Sequence, residues 1–214
     1  MLGATLDARS YVERLARELS RLDVRALETW ADLIYGAWND ERFVFVFGNG
    51  GSATTASHIS EDLGKSLLHE CDLLACNGKR LKILSLTDNV GWIMALGNDL
   101  GYSHVFAQQL MNFAGPGDLV VAISGSGNSA NVLTAVEWAG AHGLTTFSLT
   151  GYDGGRLKLL ADYGLHVAVD DMGMVESIHL AAFHWVLNDV AARINGEGRY
   201  RSESPATELL VSRF

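Results

Sequence analysis

The sequence predicts an α/β protein, a doubly wound five-stranded parallel sheet flanked by helices, and three observations carry that reading. Five short apolar runs rich in branched and aromatic residues recur along the chain: Phe43–Phe47, Leu81–Leu86, Leu119–Ser124, Thr145–Leu149 and a weaker Leu165–Val169. Strands buried on both faces read as continuous apolar runs of this kind. Helix-patterned stretches, Ala53–Leu68, Ser129–His142 and Gly155–Ala161, lie between them, and strand–helix alternation calls for right-handed crossovers onto a parallel sheet. At two of the crossovers an apolar run passes directly into a Gly/Ser/Asn turn.

Taken in order, the chain opens on Val12, Leu15, Leu19 and Leu22, then Leu27, Trp30, Leu33, Ile34 and Trp38. This helical spacing predicts two helices, or one bent helix, ahead of the sheet. Residues 1–40 are read as a helical extension of the domain formed by 41–194, and a last helix over Met174–Ile194 follows the fifth strand. Residues 195–214, polar until Leu209–Val211, are read as a tail, loose or laid on a partner. The only prolines are Pro116, in a turn, and Pro205, in the tail, so no helix interior is broken. The segment Ser66–Lys79 carries no motif.

At 214 residues, 48% apolar and 19% charged, the chain reads as one globular domain rather than a disordered segment. A net charge of −9 with no Lys/Arg run makes nucleic acid a poor partner. The charged amino terminus has no apolar leader region and no uncharged run reaches the length of a membrane span, so a cytosolic protein without membrane partner is expected. Cys71 and Cys76 are too few for a disulfide framework or a four-cysteine zinc site and read as free thiols.

The two junctions are Gly48-Asn49-Gly50-Gly51-Ser52-Ala53 and Ser124-Gly125-Ser126-Gly127-Asn128-Ser129-Ala130. Glycine permits a tight turn and close approach to a ligand, and the first N–H groups of the following helix are unpaired donors at the positive end of its dipole. The hydroxyls of Ser52, Ser124, Ser126 and Ser129 add donors without adding positive charge. Each junction alone is explained by a tight turn with a serine cap; together they predict a site for a phosphate monoester. A Walker loop ending at Gly64-Lys65-Ser66 would need glycine where Ile59 stands. Both junctions fit the short dinucleotide fingerprint, but no acid closes the following strand where a ribose would need it, so no nucleotide is expected.

Proton-transfer groups lie beyond these loops. His58 and Asp62 share a helix face at i, i+4, although Asp62 is equally placed to pair with Lys65. The last helix offers Glu176, His179 and His184. Positions 176 and 184 lie within about 80° of one another around the helix and can face one cleft, while His179, amid apolar neighbours, reads as a core histidine. Asp88, Asn89 and Asp153 fall in loops after strands, where an open α/β sheet binds ligands.

The segments FGNGGSATTASH, LTDN, LGNDLGY, AISGSGNSANV and LTGYDGG resemble the sugar isomerase (SIS) domain, in its phosphoheptose isomerase branch, over roughly residues 8–194. The resemblance implies aldose–ketose interconversion of sedoheptulose 7-phosphate, or a close relative, through a cis-enediol(ate). It implies a metal set of His58, Asp62, Glu176 and His184 holding zinc, with Asp62 the candidate base and His184 the candidate acid; if Asp62 ligates the metal tightly, a histidine or metal-bound water takes the proton instead. Asp62 stands where the family has Glu, and Glu176 where it has Gln. Asn49, Gly50, Gly51, Ser52, Ser124, Gly125, Ser126 and Ser129 would hold the phosphate, and Asp88, Asn89 and Asp153 the sugar hydroxyls. SIS domains also serve as sugar-phosphate sensors, and one relative associates with a replication initiator, so a non-catalytic binding module is the alternative. The amphipathic opening with Trp30 and Trp38, together with the apolar last helix, predicts a homodimer or homotetramer with sites near its interfaces.

Overall fold

The computed structural model describes residues 1–76 and 78–201. Asn77 and residues 202–214, including the predicted Leu209–Val211 end of the tail, lie outside the described residues. Helices α1 (Ala8–Leu19) and α2 (Val24–Asn39) precede strand β1 (Phe43–Gly48). Then come α3 (Gly51–Lys65), α4 (Glu70–Leu74), β2 (Lys82–Ser85), α5 (Val90–Asp99) and α6 (Ala107–Phe113). The remaining elements are β3 (Leu119–Ser124), α7 (Ala130–Ala141), β4 (Thr145–Thr150), α8 (Leu157–Leu160), β5 (Tyr163–His166) and α9 (Met172–Asn195).

All five strands are parallel, in the order β2-β1-β3-β4-β5. The order reverses between β1 and β3, which opens a crevice at their carboxyl ends. Strand alternation divides the core. Val44, Val46, Val121, Ile123, Phe147 and Leu149 face α2, α3 and α9, where they meet Trp30, Ile59 and Phe183. Phe45, Phe47, Val120 and Ala122 point the other way, against Leu110 of α6 and Val132 and Val136 of α7.

The opening segment is two helices because Asp23 caps the second, accepting from Arg25 N at 2.9 Å. Trp30 is fully buried and stacks on Phe147 with centroids 5.3 Å apart. Trp38 lies under Lys79 Nζ and donates from Nε1 to Lys79 O at 3.0 Å. Trp30 is thus used within the chain, whereas Trp38 is half-buried. Large apolar side chains do stand exposed elsewhere, among them Val90 and Met94 on α5, Tyr102 after it, and Met111 and Phe113 on α6.

Two boundaries differ from the sequence reading. The fifth strand is Tyr163–His166, pairing from Phe147↔Tyr163 to Thr150↔His166, rather than 165–169. Val167 and Val169 are buried, but beneath α9 and α1 with Met174, Val175 and Ile178, and that packing produced their apolar signal. The helix read at 155–161 is a single turn, Leu157–Leu160. Helix α5 was not anticipated: none of its side chains is fully buried, and Ile93 and Leu96 pack on the core only half-buried. Both cysteines are free and exposed. No described helix is long and apolar enough to cross a membrane.

Candidate active site

The two glycine turns meet at the β1/β3 crevice. Gly50 precedes α3 at φ 56°, ψ −123°, a conformation that glycine adopts without a Cβ penalty. Gly127, at φ 65°, lies so close to Gly154 that a Cβ would overlap that residue's backbone. Ser129 caps α7 without a side-chain hydrogen bond to its backbone, and Gly50 has no side chain with which to cap α3. Val132 N is taken by Asn131 Oδ1 at 3.0 Å and Ala53 N by Gly50 O at 3.0 Å, which leaves the N–H groups of Gly51, Ser52, Ala130 and Asn131 without a partner among the described residues. Between them lies a cavity of ≈ 180 Å³ lined by Asn49, Ser52, Ser124, Gly125, Ser126, Ser129, Met172 and Glu176. Four hydroxyls and two helix N-termini on one small cavity make a cradle for a phosphate-sized anion.

The cradle is held by contacts the sequence reading missed. Asn49 and Asn131 exchange amide hydrogen bonds at 2.9 Å, tying one junction to the other, and Tyr102 Oη donates to Asn49 Oδ1 at 2.9 Å. The loop after β4 braces the second turn, with Gly151 N donating to Gly125 O at 2.8 Å and Leu157 N to Gly127 O at 2.9 Å. Asn131 lies just past the Ser129-Ala130 end of the motif and follows the same polar pattern. Nothing local singles out Tyr102.

Below the cradle, α3 and α9 run side by side, with His58 and Asp62 on one and His184 on the other. A ring nitrogen of each histidine and an oxygen of Asp62 all lie within 4.8 Å of one another. His58 Nε2 is 3.0 Å from Asp62 Oδ2, and the two imidazoles stand at 69° with centroids 5.3 Å apart. Lys65 pairs with Glu61, which leaves Asp62 to His58. Two imidazoles and one carboxylate match the donor count of a catalytic zinc site that keeps a position open.

Glu176 is not in that group. Eight residues at 1.5 Å each place it about 12 Å along α9 from His184, an axial distance that the angular argument leaves out. Its carboxylate instead lies against Gly51, where a Cβ would come within 2.6 Å of Glu176 Cδ, and it faces the cradle. Asp88 and Asn89 are likewise not brought to the cradle. Asp88 accepts from Ser57 Oγ and Asn89 caps α5 through Trp92 N at 3.2 Å; both line a separate cavity of ≈ 440 Å³. Asp153 borders a third cavity, next to Ser126. His179 is a core histidine as expected, with Nε2 3.2 Å from Thr150 O, and burial pushes its imidazole down to about 4.

The SIS-domain family model matches residues 9–151. The phosphoheptose isomerase of Crocosphaera subtropica is 37% identical over 171 residues, covering 79% of this chain and 83% of that one. That of Helicobacter pylori is 34% identical over 176 residues, covering 82% and 87%. The structure of the phosphoheptose isomerase from Neisseria gonorrhoeae superposes with a TM-score of 0.77 at 28% identity, covering 86% of this chain and 96% of that one. A turn-and-helix cradle at the β1/β3 switch point, matched along nearly the whole length of these relatives, places the chain in a family: it belongs to the SIS-domain proteins, in their phosphoheptose isomerase branch.

Proposed function

We propose that this chain is a phosphoheptose isomerase, interconverting sedoheptulose 7-phosphate and D-glycero-D-manno-heptose 7-phosphate through a cis-enediol(ate). The observation that carries the reading is an anion cradle at the amino end of α3 together with His58 and Asp62 two to three turns further along that helix, joined by His184 of α9. The phosphate is anchored by Ser52, Ser124, Ser126 and Ser129 and by the open N–H groups of α3 and α7. The carbon chain then runs along the α3–α9 seam and brings C1 and C2 to the three side chains.

Asp62 takes the proton from C1 of the ketose while His184, protonated, gives one to the carbonyl oxygen on C2. The electron pair of the broken C–H bond forms the C1=C2 bond of the enediol. Return of a proton from Asp62 to C2, with loss of the O1 proton to His184, gives the aldose. His58, hydrogen-bonded to Asp62, holds the carboxylate in place. His58, Asp62 and His184 would hold a zinc ion, which would supply positive charge toward the substrate carbonyl; as a ligand His184 would be neutral, so the proton transfers above are those of the metal-free side chains. Glu176, beside Gly51, is placed to receive a hydroxyl near the phosphate end of the chain, as is Asp153 on the other side of Ser126.

The assembly we propose is a homodimer or homotetramer, which would cover the apolar side chains of α5 and α6 and bring Asp88 and Asn89 toward a neighbouring chain's site. The reading is supported by the family relatives and by the absence of a membrane-spanning helix among the described residues, and we place the reaction in the cytosol. The test is incubation with sedoheptulose 7-phosphate in deuterated solvent, with and without zinc, followed by NMR. Exchange at C1 or C2 is expected; binding of the phosphosugar without exchange would make the chain a sensor-type module instead.

A further inference from the structure

The cradle is bounded on one side by the amino ends of α3 and α9, through Ser52 and Glu176. On the other lies a wider cavity of ≈ 680 Å³ at the carboxyl ends of β4 and β5, whose lining includes Tyr152, Asp153 and Asp170. Ser126 and Met172 line both this cavity and the cradle, so a ligand whose phosphate stays on the serines can place its body there. The wider cavity has the volume of a small-molecule pocket.

Its lining has a definite chemistry. Tyr152 sits at φ 50°, the left-handed region that a bulky side chain rarely occupies and glycine enters freely. The turn imposes that angle, because Tyr152 N donates to Val169 O at 3.1 Å and Gly154 N to Gly151 O at 2.8 Å. An aromatic ring is therefore presented to the cavity at a position where the backbone alone favours glycine. Asp153 uses one oxygen on Gly155 N at 3.0 Å, and Asp170 makes no side-chain hydrogen bond or ion pair among the described residues. An aromatic face for C–H groups, beside carboxylate oxygens with lone pairs free for hydroxyls, is what a hydroxylated ring requires. A second anion would be repelled by the two carboxylates.

We propose that the Tyr152 cavity holds the cyclic hemiacetal form of the sugar phosphate, with its ring on Tyr152, its hydroxyls on Asp153 and Asp170, and its phosphate in the serine cradle. The proposal rests on the isomerase reading above. Reaction needs the open chain, since the His58–Asp62–His184 group lies about 12 Å along α9 from the level of Glu176, a distance the compact ring does not span. On opening, the anomeric O–H proton leaves, the ring C–O bond breaks as the carbonyl forms, and the former ring oxygen takes up a proton. The freed chain then turns about the anchored phosphate into the seam. Tyr152 thereby selects which cyclic sugar is captured and takes no part in proton transfer.

The probe is the methyl pyranoside of the heptose 7-phosphate, which cannot open, titrated calorimetrically into the full chain beside inorganic phosphate. The parent should bind the glycoside at least tenfold more tightly than phosphate. Tyr152→Gly should lose that tenfold preference while keeping its phosphate affinity, and its thermal midpoint should hold or rise because the backbone strain is relieved. Tyr152→Phe should keep the preference. A parent that binds the glycoside no better than phosphate, or a Tyr152→Gly variant that retains the preference, overturns the proposal. Binding is read without turnover, so a parent that captures the glycoside but never exchanges the C1 or C2 hydrogen would overturn the isomerase reading and leave this subsite standing.

Discussion

The imidazoles of His58 and His184, one on α3 and the other on α9, stand with ring centroids 5.3 Å apart, and Asp62 Oδ2 closes the group at 3.0 Å from His58 Nε2. Nothing but the parallel packing of the two helices brings them together. Replacing His184 by Ala removes one of three donors and should weaken zinc binding by about a hundredfold or more, read by competition with a calibrated chelator. Unchanged affinity would place the ion elsewhere.

Asp62→Asn keeps the size of the side chain and removes the proposed base. Turnover should fall by about two orders of magnitude or more, while the thermal midpoint stays near that of the parent. Near-parental turnover in this variant would mean that another group takes the C1 proton.

Ser126→Ala and Ser129→Ala each remove a hydroxyl donor from the cradle. Each should weaken phosphosugar binding by about 1–3 kcal/mol, the usual range for a hydrogen bond to a charged group, with folding intact. A titration showing parental affinity for both variants would take these serines out of the phosphate site.

Gly127 combines φ 65° with a position where a Cβ would overlap the backbone of Gly154. Backbone strain and overpacking act together there, so Gly127→Ala should destabilise the fold by about 2–4 kcal/mol and displace the loop that carries Ser126. Urea unfolding measures the first effect and phosphate titration the second; a fully stable variant would show that the β4 loop yields easily.

Acid stability should follow His179. Burial lowers its imidazole from 6.5 to about 4 in the folded chain, so the unfolded chain binds the proton first. Its contribution is complete above about pH 6.5 and is lost as the pH falls toward 4, at no more than about 1.4 kcal/mol per pH unit. His166, lowered by burial and then by Lys158, adds in the same direction. Asp171 is held down by the N–H groups of Met174 and Leu2 and acts only at lower pH, below the ordinary carboxylate range. Urea midpoints between about pH 4.5 and 7.5 should therefore fall less steeply with acid in His179→Gln than in the parent, and equal slopes would contradict this assignment.

The sequence by itself determined the sheet, the two Gly/Ser turns at the crevice and the identity of the histidines and Asp62. These features rest on local rules: short continuous apolar runs, glycine where the backbone must turn back, and i, i+4 neighbours on one helix face. It could not tell that Trp30 is consumed inside the chain against Phe147, because an amphipathic stripe shows that a face is covered and not by what. It did not single out α5, which packs on the core through the half-buried Ile93 and Leu96, and it overextended β5, whose following valines pack under α9 instead of in the sheet. The grouping of the candidate site was decided only in three dimensions. Angular position around α9 allowed Glu176 and His184 to share a cleft, but the rise along the axis separates them. The parallel run of α3 and α9 then gave Glu176 to the phosphate cradle and His184 to His58 and Asp62.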